Sequence, residues 1–203
     1  MKKENKTFSA RGMAEIAIMT AIAFGLDFLQ GGLWRGVFVN GGSIGLAMVP
    51  ILVLCYRRGF LSGLISGIVL AFLQMLGGVY AIADSWYKVL FQILLDYVLA
   101  YPVVAVAGLF YVPFQNAKSN KEKIGFVAIG STIGGILKFL CHFLAGVLFW
   151  PNNALGGKYT YSLIYNGGYM LPNIILSIAI MIVLVVKVPS VFNYEKGGNK
   201  DEQ

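Results

Sequence analysis

The sequence predicts an all-α integral membrane protein, a bundle of six transmembrane helices with both termini in the cytoplasm. Hydrophobic residues make up 58% of the 203-residue chain and charged residues only 12%, about half the charge of an average soluble domain. The apolar residues fall into six runs that are separated by short polar segments. The basic residues are concentrated in the tails and in alternate connections, which is the pattern that orients a membrane protein.

This basic bias also predicts the division of the chain. Of the 16 lysines and arginines, Arg35, Lys88 and Lys158 lie on one side and Lys138 lies within an apolar run, so twelve remain for the other side. Basic segments stay in the cytoplasm. The prediction is a basic cytoplasmic tail (residues 1–12), a membrane domain (13–187) and a charged cytoplasmic tail (188–203). A net charge of +7 distributed in this way indicates membrane orientation rather than nucleic-acid binding.

The first apolar run, residues 13–33, predicts helix 1. A secretory signal peptide is disfavoured because the run is long, contains Glu15 and Asp27, and leads into further membrane segments. Ala17 and Ala21 are four residues apart, a spacing of small side chains that lets another helix approach closely. Packing within the bundle explains the same spacing equally well, so both interpretations stay open here.

Helices 2 and 3 follow in close succession. Helix 2 is predicted over residues 44–56, which is short for a span and includes Pro50, so a tilted or kinked helix is expected. Helix 3 is predicted over residues 59–78. Glycines recur at every fourth position from Gly59 to Gly67, and this edge is expected to seat a neighbouring helix. Cysteine chemistry adds nothing, because the two cysteines lack metal-ligand spacing and are expected to be small buried side chains.

Helices 4 and 6 place polar groups inside apolar runs. Helix 4 is predicted over residues 89–110, with Asp96 and Tyr97 in its interior and Pro102 as an expected kink. Helix 6 is predicted over residues 161–186. Because both helices have one end on the outer side, their polar groups are expected at a common level.

Helix 5, predicted over residues 124–150, carries the clearest sign of a binding site. Lys138, His142, Gly146 and Trp150 are spaced four apart and therefore share one face of a helix. Hydrocarbon disfavours a lysine in mid-span, so this face is expected to line the bundle interior or a wet cavity.

Together these groups suit a flat, polar, cationic aromatic ligand. Aromatic faces attract cations, Asp96 supplies a countercharge, and the Asn166 amide can pair with the polar edge of a ring. Each residue also has a plainer interpretation. His142 alone fits a satisfied core histidine, Trp150 alone fits an interfacial anchor, and Asp96 fits a structural ion pair with Lys138.

The motifs of helices 4 to 6 resemble those of the thiamine-specific substrate-binding (S) component of energy-coupling-factor transporters, the ThiT/YuaJ family. The resemblance is carried by Leu95-Asp96-Tyr97, by Lys138-x-x-x-His142-Phe143-x-Ala145-Gly146-x-x-Phe149-Trp150 and by Tyr161-Ser162-Leu163-x-x-Asn166. It extends over nearly the whole chain through Glu15-Ile16-Ala17, Gly41-Gly42-Ser43 and Met48-Val49-Pro50-Ile51.

The resemblance implies a non-enzymatic protein that captures thiamine near the outer face of a bacterial plasma membrane, with no metal or cofactor. Trp150 and His142 would flank the rings of the ligand, and Asp96 would neighbour the thiazolium. The remaining residues of the implied pocket are Tyr97, Lys138, Gly146, Tyr161 and Asn166. The aromatic side chain that closes the pocket from the connecting loops stays open among Trp34, Tyr80 and Trp86.

The family also implies partners. Uphill import needs an energy source, yet the sequence contains no Gly-x-x-x-x-Gly-Lys-Ser/Thr phosphate loop. Family members dock on a transmembrane coupling protein joined to two ATP-hydrolysing subunits, with Ala17 and Ala21 as the implied docking face. The alternatives are an S component for another vitamin, and a stand-alone proton-coupled transporter with Asp96, Lys138 and His142 as its relay.

Overall fold

The computed structural model describes residues 8–82, 84–150 and 156–193. Within these ranges all regular secondary structure is helical, without strands, and six helices lie in the six predicted runs, followed by a short 3₁₀ helix at Pro189–Phe192. They are α1 (Ala10–Trp34), α2 (Met48–Arg58), α3 (Phe60–Leu76), α4 (Trp86–Asn116), α5 (Asn120–Phe149) and α6 (Lys158–Lys187). Of these, α1, α4, α5 and α6 are long and apolar enough to cross a membrane.

The short helix α2 lies at the centre of the bundle. Every α2 residue except Arg57 is buried, against α1, α3, α4 and α6. Its 11 residues rise only about 17 Å, roughly half of the hydrocarbon thickness. The helix begins at Met48 rather than at residue 44, because Pro50 then falls in the first turn, where its missing amide hydrogen costs no helical hydrogen bond.

Glycines bring α3 and α4 into backbone contact. A methyl group added at Gly67 would lie 2.8 Å from Cα of Pro102, and one added at Gly108 would lie 2.5 Å from Cα of Phe60. These distances leave no room for a side chain, so the predicted glycine edge of helix 3 is confirmed. Gly59 has a φ of +93°, a left-handed conformation that glycine adopts at low cost and that separates α2 from α3.

Helix α4 changes its helical form where its polar residues lie. After an α-helical start it widens into a π-helical turn over Leu94–Leu99, which contains Asp96 and Tyr97, and then tightens into a 3₁₀ helix over Pro102–Phe110. Pro102 cannot donate to the α-helical ladder, and the 3₁₀ segment begins at this residue, where the sequence predicts a kink. A π-helical turn alters the direction of the side chains that follow and is frequent at functional sites.

An ion cluster joins the start of α1 to the end of α2. Glu15 Oε2 accepts a hydrogen bond from Nε of Arg57 at 2.7 Å and another from Nε of Arg58. Nη1 of Arg57 also donates to the carbonyl oxygen of Val191 at 2.8 Å, and the neighbouring Phe192 is buried. Residues 188–193, predicted as tail, therefore pack against the bundle. Residues 1–7 and 194–203 of the predicted tails lie outside the described residues.

Candidate ligand-binding site

A cavity of about 450 Å³ lies among α1, α3, α4, α5, α6 and the connections that follow α1 and α3. This volume is within the range of small-molecule sites. The structure places all eight predicted ligand-binding residues in its wall: Asp96, Tyr97, Lys138, His142, Gly146, Trp150, Tyr161 and Asn166. The four-residue spacing on α5 thus forms one continuous part of the wall, and the binding role of these residues stays a prediction.

Asp96 faces His142 across the junction of α4 and α5. The distance between Asp96 Oδ1 and His142 Nδ1 is 3.1 Å, and both side chains are partly exposed to the cavity. Among the described residues the side chain within hydrogen-bond distance of Asp96 is therefore His142, and no ion pair within 4 Å joins Asp96 to Lys138. The structural Asp96–Lys138 pair, left open by the sequence, is not formed.

Lys138 is buried, with 6% of its surface exposed, yet it borders the cavity. Its Nζ lies 3.3 Å from the centroid of the Tyr101 ring, a cation–π contact. Within the described ranges its ammonium has no hydrogen-bond acceptor, although an ammonium carries three donors. Those donors are available to a molecule in the cavity.

A second carboxylate, which the sequence analysis did not assign to the site, lies beside this lysine. Asp27 on α1 accepts hydrogen bonds from the Tyr101 hydroxyl at 2.7 Å, from Gln74 Nε2 at 2.7 Å and from Gln30 Nε2 at 3.3 Å. An acidic residue inside an apolar run is itself a sign of function in a membrane protein. That sign was present in the sequence, but it does not reveal which helices α1 faces.

Asn166 lines the cavity with an amide that is already engaged. Its Nδ2 donates to the carbonyl oxygens of His142 at 3.2 Å and Ser162 at 3.1 Å, while its Oδ1 accepts from the Tyr169 hydroxyl at 2.7 Å. A methyl group added at Gly146 would collide with Ser162 Oγ and lie 2.9 Å from Asn166 Nδ2. Gly146 and Asn166 therefore hold α5 against α6 and shape the wall.

Aromatic rings form one side of the cavity. The centroids of Trp150 and Tyr80 are 5.4 Å apart, with 31° between the ring planes, and the backbone N–H of Tyr80 donates to the Tyr97 hydroxyl at 3.0 Å. Of the three loop aromatics left open by the sequence, Tyr80 lines the cavity. In the described chain Trp34 packs on Phe38 and Trp86 is 76% exposed, and neither is in the wall.

The connection between α1 and α2 is fastened over the cavity by tyrosines of α6. Asn40 Nδ2 donates to the Tyr161 hydroxyl at 2.9 Å, and its backbone N–H donates to the Tyr165 hydroxyl at 2.9 Å. That hydroxyl donates in turn to the carbonyl oxygen of Gly41 at 2.9 Å. Gly41 and Gly42 have φ values of +90° and +102°, which favour glycine. Asn40 and Tyr165 also line the cavity, and no pattern in the sequence marked them as candidates.

Comparison with known proteins gives the family. A family model described as thiamine transporter protein (Thia_YuaJ) matches residues 13–193. The chain belongs to this family. Thiamine transporter ThiT of Bacillus subtilis (strain 168) is 31% identical over 192 residues, which cover 91% of this chain and 95% of the relative. ThiT of Lacticaseibacillus paracasei is 32% identical over 192 residues, which cover 90% of each chain.

A solved structure of ThiT from Listeria monocytogenes superposes with a TM-score of 0.71 at 28% identity, and the match covers 88% of this chain and 95% of that one. The resemblance drawn from the motifs of helices 4 to 6 is therefore confirmed. The family is one of membrane transporters rather than enzymes.

Outside the cavity, this member of the thiamine transporter family exposes the small-residue face of α1. Ala17 and Ala21 are exposed, whereas the buried face of the same helix carries Ile16, Thr20 and Ala23. Packing within the described part of the chain therefore does not account for the Ala17–Ala21 spacing. The docking role of this face stays a prediction.

Proposed function

We propose that this chain is the thiamine-binding S component of an energy-coupling-factor importer in a bacterial plasma membrane. The observation that supports this most directly is that eight residues from three helices, each matching a family motif, line one cavity of about 450 Å³. With both termini in the cytoplasm, as the basic residues indicate, α5 runs outward. Its C-terminal end, where Trp150 lies, then brings the cavity to the outer face.

The wall of the cavity suits the chemistry of thiamine. Thiamine has two flat rings joined by one carbon, a permanent positive charge on its thiazolium ring, and a hydroxyethyl arm. In our proposal Trp150, Tyr80 and His142 pack on the rings, and the carboxylate of Asp96 lies beside the thiazolium. The polar edge of the pyrimidine meets the uncommitted donors and hydroxyls of the wall, while Gly146 and Asn166 define its shape.

The energy for uptake comes from partner subunits in this proposal. A transmembrane coupling protein joined to two ATP-hydrolysing subunits docks on α1 at Ala17 and Ala21. Small exposed side chains at this spacing allow a partner helix to approach the α1 backbone closely. The docking face is separate from the cavity wall, so capture and coupling are distinct tasks.

Thermal stabilisation of the detergent-purified protein by a panel of vitamins tests the ligand assignment. A ligand that binds only the folded state stabilises it by about 2.7 kcal/mol at 100 times its dissociation constant. We expect a rise in melting temperature with thiamine and none with unrelated vitamins. Stabilisation by another vitamin instead of thiamine would favour an S component of different specificity.

Uptake into vesicles tests the energy source. The 3.1 Å contact between Asp96 and His142 is also compatible with a proton relay, so the two energy sources must be separated. We expect uptake to require ATP and the coupling subunits. Uptake that follows an imposed proton gradient without those subunits would support a stand-alone transporter.

A further inference from the structure

The cavity is lined by two carboxylates, Asp27 and Asp96, and the proposed function uses only Asp96. Asp27, Tyr101 and Lys138 form a column in which the tyrosine lies between a carboxylate and an ammonium. Asp27 Oδ1 accepts the hydrogen bond of the Tyr101 hydroxyl at 2.7 Å, and the face of the same ring carries Nζ of Lys138 at 3.3 Å from the centroid. One negative and one positive group are therefore held by a single tyrosine.

Three hydrogen-bond donors hold the Asp27 side chain in place. Besides Tyr101, the amides of Gln74 and Gln30 donate to it at 2.7 Å and 3.3 Å. An ionised carboxylate is a pure acceptor, so three converging donors match its charged form. By contrast, Lys138 has no carboxylate within 4 Å in the described chain. The ammonium of Lys138 can therefore still attract an anion, because no direct ion pair neutralises it. The carboxylate of Asp27 repels the same anion.

The Asp27–Tyr101–Lys138 column lies farther from the outer face of the membrane than the Asp96–His142 contact. Lys138 precedes His142 by one turn of α5, and Tyr101 follows Asp96 by a little more than one turn of α4, which is about 5 to 8 Å along each helix. A hydroxyethyl arm on a thiazolium beside Asp96 can reach this level. Its hydroxyl is both a donor and an acceptor, so it can accept from Lys138 and donate toward Asp27.

We propose that Asp27 is a specificity-determining residue that makes the cavity select thiamine with a free hydroxyl over its phosphate esters. The inference rests on the proposed thiamine-binding function. A phosphate ester adds about 1.5 to 2 negative charges and removes the hydroxyl hydrogen, so at this level it is repelled by Asp27 while Lys138 attracts it. Without Asp27 the lysine would make the same place an anion site.

Calorimetric titration of the detergent-purified full chain with thiamine and with thiamine monophosphate tests the inference. In Asp27→Asn, the affinity for the monophosphate relative to thiamine should rise about tenfold or more, because one negative charge is lost beside the phosphate. Glu122→Gln is the matched control. It makes the same change in net charge 16 residues before Lys138 on α5, about 24 Å away, and should leave the ratio unchanged.

Asp27→Ser provides a second uncharged variant, since a serine hydroxyl can accept from Tyr101 or donate elsewhere. A folded Asp27 variant with the wild-type ratio would overturn the inference and leave the proposed function intact. Equal affinities of the wild-type protein for the two ligands would overturn it as well, and so would loss of the fold in both variants, because Asp27 would then be purely structural. A wild-type protein that does not bind thiamine would instead overturn the proposed function.

Discussion

Helix α1 carries two acidic residues that meet very different surroundings. Glu15 lies opposite two guanidinium groups, with Arg57 Nε at 2.7 Å and Arg58 Nε on the same oxygen. Asp27, twelve residues later and about 18 Å along the helix, is held by neutral donors instead. The nearby ammonium of Lys138 lies on a ring face rather than on a carboxylate.

The difference separates a region that stabilises the fold from the cavity that, in our proposal, binds the ligand. Opposite charges brought together within a membrane protein offset the cost of removing them from water. At the Glu15 cluster the chain itself supplies both the negative charge and the positive charges. In the cavity it leaves the ammonium donors of Lys138 uncommitted, an arrangement that costs stability unless a bound molecule completes it.

The largest effect is expected at the face of α1 that belongs to neither region. Replacing both Ala17 and Ala21 by Trp should abolish thiamine uptake in cells that contain the coupling subunits, because bulky side chains prevent close helix approach. Thiamine affinity of the purified variant should be unchanged. Radiolabelled uptake beside calorimetry measures both. The control is Ile129→Trp with Ile133→Trp, an exposed pair at the same spacing on α5. Loss of thiamine binding together with uptake would show that the Ala17–Ala21 face packs inside the fold.

Glu15→Gln should destabilise the fold by about 3 kcal/mol, because it removes the carboxylate charge opposite two guanidinium groups, one of them almost fully buried. The melting temperature in detergent should fall, while thiamine affinity of the folded protein stays unchanged. Glu122→Gln, at an exposed position, is the control. A weakened affinity with an unaltered melting temperature would contradict the assignment of Glu15 to the stabilising region.

Lys138→Met should weaken thiamine binding without lowering the melting temperature, the reverse of the result expected for Glu15→Gln. An apolar side chain of similar length packs on the Tyr101 ring without a desolvated charge, so the melting temperature without ligand should stay level or rise. Thiamine binding should weaken by about 2 kcal/mol, the scale of a hydrogen bond to a charged donor. Unchanged affinity in a folded variant would place Lys138 outside the binding machinery.

The smallest expected effect sharpens the role of Asp96. Asp96→Asn should weaken the binding of thiamine by about 1 kcal/mol more than the binding of a neutral analogue that lacks the thiazolium charge, because only thiamine loses a countercharge. Calorimetry with both ligands gives the difference. Equal losses would mean that Asp96 acts structurally, through its contact with His142.

Local patterns predicted a large part of this molecule. Apolar runs and the distribution of basic residues predicted six helices, because hydropathy is a property of each segment. The periodicity of one helix was enough to place Lys138, His142 and Trp150 on a common wall. The changes of helical form in α4 were only partly predictable. Pro102 predicts an interruption of the α-helix, but no residue predicts the π-helical turn over Leu94–Leu99.

Only the tertiary structure decides which side chains of different helices contact each other. The sequence shows acids at positions 27 and 96, a lysine at 138 and a histidine at 142, but it does not show that Asp96 contacts His142 while Asp27 accepts from Tyr101. It likewise does not show that both ends of the Asn166 side-chain amide already have partners on α5 and α6. Periodicity reveals which residues share a face of one helix. Which faces meet is decided by how the six helices pack, and by the close backbone approach that glycines such as Gly67 and Gly146 permit.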